Sequence, residues 1–125
     1  MKTPKEIRDI LGQCIGTTRY HVFSPFKEFP VITDGIYALA EAAECYWLLD
    51  IIGSYQSNSK LDRYFQVWRL TKNEDGSAVV VGMNDTKPVI TQEIEYTDFP
   101  LDSIDIWLEA CDGFPGGVLL LPSEH

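Results

Sequence analysis

The stretch Thr33-Asp34-Gly35-Ile36-Tyr37-Ala38-Leu39-Ala40-Glu41-Ala42-Ala43-Glu44-Cys45-Tyr46-Trp47-Leu48-Leu49-Asp50-Ile51-Ile52-Gly53-Ser54-Tyr55 decides the fold. Threonine followed by aspartate suits a helix N-terminus, because both side chains can accept bonds from the orphan amides of a first turn. No proline occurs between Thr33 and Tyr55, and at about 100° per residue Ile36, Leu39, Ala40, Ala43, Tyr46 and Trp47 share one stripe, with Glu41 and Glu44 opposite. Further on, Leu48, Leu49, Ile51 and Ile52 fill the remaining directions, so the second half must be enclosed by other elements. The pattern predicts one long helix from about Asp34 to Tyr55, ended by the polar run Gln56-Ser57-Asn58-Ser59-Lys60.

Working outward from it, Thr3-Pro4-Lys5-Glu6 has the form of a capping box with proline at the first helical position. It predicts a short helix that presents Ile7, Ile10 and Leu11 on one side and ends near Gly12 or Gly16. Arg19 to Phe23 predicts a short edge strand, and Ser24-Pro25 with Phe29-Pro30 an irregular apolar loop. After the long helix, the chain reads as strands. Tyr64 to Thr71, a turn at Asn73-Glu74-Asp75-Gly76 and Ala78 to Met83 form a hairpin. Ile90, Ile94 and Tyr96 alternate with Thr91, Glu93 and Glu95, and Ile104, Ile106, Leu108 and Ala110 alternate with Asp105, Trp107 and Glu109, the period of a strand with one wet face. Gly116-Gly117 reads as a turn into a last strand, Val118 to Leu121, closed by Pro122. With 125 residues, 45% of them hydrophobic, the chain can close one core. The expectation is a single α+β domain over residues 1–125: one short and one long helix packed on a four- to five-stranded, mostly antiparallel sheet.

Charge is unevenly spread. Residues 1–87 hold all ten basic side chains and eleven acidic ones, whereas residues 88–125 hold eight acidic side chains and no lysine or arginine, for a formal net charge of −9. A field of that sign disfavours nucleic acid and anionic membrane surfaces and leaves room for a basic protein partner, though the simpler reading is that the acidity only keeps the domain soluble. No stretch approaches the roughly 18 apolar residues of a membrane span and no leader pattern opens the chain, which suggests a cytoplasmic protein. Cys14, Cys45 and Cys111 are odd in number and far apart, with only His21 and His125 to complete a metal shell. Neither a disulfide framework nor a metal site is expected, nor any cofactor. Phosphate loops, dinucleotide fingerprints and hydrolase or zincin motifs are absent.

Two groups of residues are candidates for function. On the helical wheel Asp50 points with Leu39, Ala43 and Ser54 into the sheet, where a carboxylate must find partners or neutralise. Either it is a general acid or base, with Tyr46, Ser54 and His21 as pocket groups, or it is a structural acceptor for loop amides or for Arg63 or Arg69, which is the simpler reading. His21 sides with Arg19 on the wetter face of its strand, and nothing pairs it with a cysteine. The second group is a surface. Glu93 and Glu95 share a wet face with Asp105, Trp107 and Glu109, and if the two strands are neighbours, four carboxylates surround one tryptophan. An aromatic ringed by charge is the make-up of an interaction patch, unless the Ser24–Pro30 loop or the chain's end covers Trp107.

The run Tyr46-Trp47-Leu48-Leu49-Asp50 on a helix, together with Gly117-Val118-Leu119-Leu120-Leu121-Pro122-Ser123-Glu124, resembles an uncharacterised family of small bacterial and phage domains of unknown function. The likeness extends from about Thr17 to the end. It implies a bacterial or mobile-element setting and brings no catalytic residue. The composition and the resemblance together suggest a small acidic accessory protein that binds another protein, in a sharper form by mimicking nucleic acid. The alternatives are a small enzyme or ligand binder centred on Asp50, and a homo-oligomer that buries the open sheet face against its own copy.

Overall fold

The computed structural model describes residues 2–12, 19–26 and 28–125; Cys14 and Gly16 lie outside them. The capping box forms as the sequence predicts. Thr3 Oγ1 accepts from the Glu6 amide at 3.2 Å while Glu6 Oε1 accepts from the Thr3 amide at 3.2 Å, which opens α1 (Pro4–Gly12). The fully buried Ile7 and half-buried Ile10 of α1 pack against the core.

Thr33 also behaves as its position requires, accepting from the Ile36 amide at 3.3 Å as the N-cap of α2 (Asp34–Ala43). The single long helix, however, is two. Glu44 turns left-handed, with φ 51°, and a second helix, α3 (Tyr46–Ser54), begins after Cys45. No glycine or proline marks the break, and a left-handed non-glycine costs roughly 1–2 kcal/mol. What the break achieves is a change of phase: Leu48, Leu49 and Ile52 turn inward beside Ile36, Leu39 and Ala40, all essentially inaccessible. The backbone strain is set against burial of three large side chains, worth about 1.5–3 kcal/mol each.

The sheet has seven strands where the periodicity predicts four or five: β1 (Tyr20–His21), β2 (Val31–Thr33), β3 (Phe65–Lys72), β4 (Ala78–Asn84), β5 (Lys87–Ile94), β6 (Ser103–Cys111) and β7 (Phe114–Leu120). Their order is β1-β2-β7-β6-β3-β4-β5. All pairs are antiparallel except β2 with β7, which is parallel, so the sheet is mixed. Val31, Ile32 and Thr33 are all buried and show no alternation, which is why the loop reading concealed this strand. Gly116 and Gly117 lie within β7, and the turn is at Asp112-Gly113 instead. Phe114 pairs with Cys111, but Val118 pairs with Glu109, so the ladder shifts register between them. Gly117 takes φ 79° there, and a side chain on Gly116 would strike the carbonyl of Phe29.

One face of the sheet meets the helices. Gln66, Trp68 and Leu70 of β3, Ala78 and Val80 of β4, and Ile104, Ile106 and Leu108 of β6 are buried there, and Trp68 lies over Gly82, where any Cβ would meet its ring at 2.7 Å. A closed polar network sits among them. Gln56 and Gln66 exchange amide bonds at 2.9 Å in both directions, Gln66 Oε1 also accepts from Trp68 Nε1 at 2.8 Å, and the Gln56 amide donates to the Ile52 carbonyl. Every buried side-chain polar atom among the described residues has a partner, as a low-dielectric interior demands. No helix among the described residues is long and apolar enough to cross a membrane.

Candidate functional site

Asp50 does not enter the core. The break at Glu44–Cys45 rotates α3, leaving Asp50 and Ser54 exposed; Ser54 donates to the Ile51 carbonyl at 2.8 Å. Tyr46 donates to Glu41 at 3.1 Å, and its phenol is pushed up to about 12, by desolvation first and by that carboxylate second. His21 lies elsewhere, facing the helices and not the wet side: Nε2 is 2.8 Å from Asp34 Oδ1, and the ring stacks on Tyr37 at 4.5 Å. Asp50, Tyr46, Ser54 and His21 therefore do not form one pocket. The thiol of Cys45 is fully buried and pushed up to about 12 by desolvation.

Alternation along the strands builds the other face of the sheet. Asp105, Trp107 and Glu109 of β6 stand on it, with Phe65, Val67 and Arg69 of β3 alongside. Val79 and Val81 of β4 come next, then Thr91 and Glu93 of β5. These side chains are half-buried or exposed. Among the described residues, the element laid on this face is the 3₁₀ turn Pro122–Glu124, with His125 after it. The Ser24–Pro30 loop goes to the helix side, where Phe29 fills the space over Gly53 of α3.

β5 and β6 are not neighbours, because β3 and β4 lie between them. Three strand spacings of roughly 4.8 Å put Glu93 and Glu95 about 14 Å across the sheet from β6, so the carboxylates do not ring Trp107. They border a wider apolar field instead. Asp105 is bidentate with Arg69, at 2.8 and 3.0 Å, and holds that guanidinium above its usual range. Glu109 Oε1 lies 2.7 Å from His125 Nε2. Trp107 is half-buried, touched edge-on by Phe65 at 5.3 Å and by the His125 ring at 5.4 Å. Of the two covers that the sequence allows for Trp107, the chain's end is the one in place.

Sequence reasoning missed the role of Glu124. Its carboxylate accepts from Thr33 Oγ1 at 2.7 Å, from the Gly35 amide at 3.1 Å and from the Leu121 amide at 2.9 Å, a ready-made anion site at a helix N-terminus filled from within. This bond set seats the 3₁₀ turn over β2 and β7. Beside it, Tyr20, Thr33, Glu109, Cys111 and His125 line a cleft of about 250 Å³.

No curated protein and no solved structure matches the chain. A family model does match, over residues 5–125, and by it the chain belongs to a family of unknown function, DUF6876.

Proposed function

We propose that this domain is a non-enzymatic interaction module that binds a basic protein through the sheet face opposite its helices. One observation carries the reading: a seven-stranded sheet packed by helices on one side, with Phe65, Val67, Val79, Val81 and Trp107 left half-buried on the other. Apolar surface of that kind, rimmed by polar groups, is characteristic of protein contact sites. Its rim carries Glu93, Glu95, Asp105 and Glu109, and a net charge of −9 would steer a cationic partner toward it. The sheet edges support the same choice. β1 is two residues long, and β5 carries Pro88 and a register shift opposite Gly82–Met83; such features blunt an edge against strand addition. The exposure of Asp50 removes the physical motive for an acid–base role there. The cytoplasm and a bacterial or mobile-element host are the setting this reading implies.

The test is affinity capture from source-cell lysate at low salt, followed by reconstitution with the purified partner. A basic protein should be retained by the wild type and by Asp50→Asn. It should be lost from both Trp107→Ala and Glu93→Lys/Glu95→Lys, and the methyl signals of Val67, Val79 and Val81 should shift when it binds. Shifts confined to the helix side, or a stable homodimer formed through this face in sedimentation at pH 7.5, would overturn the proposal.

A further inference from the structure

We infer that Trp107 and Glu109 form a subsite for an arginine side chain of the partner, and that His125 is its intramolecular placeholder; the inference rests on the face reading above. The corner is already occupied by a group of the right chemistry. The His125 imidazole sits edge-on to the Trp107 ring at 5.4 Å, with Nε2 2.7 Å from Glu109 Oε1, so an aromatic ring and a carboxylate hold the imidazole between them. Ring plus carboxylate is what a guanidinium uses best: its planar fork binds the carboxylate in two bonds while its face lies against the indole.

Access and charge agree. The His125 side chain is 60% exposed while Glu109 is 30% exposed, so the placeholder can swing out and leave its acceptor in the site. Behind it lies the 250 Å³ cleft lined by Tyr20, Cys111 and Leu120, below the size of drug-like ligand pockets and suited to one side chain. The other carboxylate at the cleft, Glu124, is engaged by Thr33, Gly35 and Leu121. Glu109 is therefore the carboxylate left for the partner.

The probes are hexa-arginine and hexalysine peptides, titrated at low salt into the full chain and followed by NMR of the Trp107 indole and His125 imidazole, with circular dichroism to confirm that each variant is folded. Hexa-arginine should shift both signals and bind more tightly than hexalysine. Removing the placeholder in His125→Ala should tighten hexa-arginine binding about threefold or more, since the site no longer divides its population between two occupants. Trp107→Ala and the near-isosteric Glu109→Gln should each weaken it about tenfold. Binding that ignores His125→Ala, Trp107→Ala and Glu109→Gln but falls in Glu93→Lys/Glu95→Lys overturns the subsite and leaves the face reading standing. No response of the Trp107 or His125 signals to hexa-arginine overturns the subsite by itself, whereas failure of the face reading shows separately, as the absence of a partner lost in face variants.

Discussion

Cys45 shows how a single side chain reports the helix break. It stands where α2 stops, completely buried, its Sγ 3.8 Å from the Leu39 carbonyl, and desolvation pushes its thiol up from the ordinary 9.0 to about 12. The thiolate is the reactive form, so Cys45 should resist alkylation in the native protein at pH 8 and react only on unfolding, while the half-buried Cys111 reacts before it. Peptide mass spectrometry after timed iodoacetamide treatment checks this; rapid native labelling of Cys45 would contradict the packing of the break. The linkage has a definite sign. Because the folded pKa lies above the unfolded one, the thiol's contribution to stability is whole below about pH 8.5 and declines as pH rises from there toward 12. Asp50 is the residue the sequence misplaces, and for the same reason. Its inward position comes from carrying one wheel through Glu44, and a single left-handed residue changes the phase of everything after it.

At the scale of elements, the turn Pro122–Glu124 joins the end of β7 to the start of α2. Three bonds converge on Glu124, two of them from the β2–α2 junction, and charge-assisted bonds of this kind are worth more than neutral ones. Glu124→Ala should cost about 1–3 kcal/mol, since it strands the Gly35 and Leu121 amides and the Thr33 hydroxyl in partly buried positions. Glu124→Gln should cost less, because an acceptor oxygen remains. Urea unfolding of the two variants decides; a loss below about 0.5 kcal/mol for Glu124→Ala, the level of ordinary surface substitutions, would mean that the turn does not lock the helix. In the segment Gly117 to Glu124 the final strand was legible, although it begins earlier, at Phe114. That its glutamate caps a helix about ninety positions earlier in the chain has no local signal, because the bond is made only when β7 lies beside β2.

For the whole molecule, the open face and the net charge act against each other. Repulsion among copies of charge −9 should keep apolar faces apart at neutral pH, a protection expected to fade toward the pI near 4.5. Sedimentation velocity should find the domain monomeric at pH 7.5 and associating as pH approaches 5, with Val81→Lys suppressing the association. Equal association in wild type and variant would place the contact elsewhere.

What the sequence by itself determined is what neighbours in the chain decide: the Thr3–Glu6 cap, the helix start at Thr33, the hairpin at Asn73–Gly76, and the alternation that puts Trp107 and Glu109 on one side of a strand. These rest on capping bonds and on periods of 3.6 and 2, which need no distant partner. Only the tertiary structure decided the rest. The order β7-β6-β3-β4-β5 separates Glu93 from Trp107, the three buried residues of β2 become a strand only beside β7, and the break at Glu44 is favoured only when a sheet lies under Leu48, Leu49 and Ile52. Each of these is a contact between residues far apart in the chain, and its free energy exists only once both partners have been brought together.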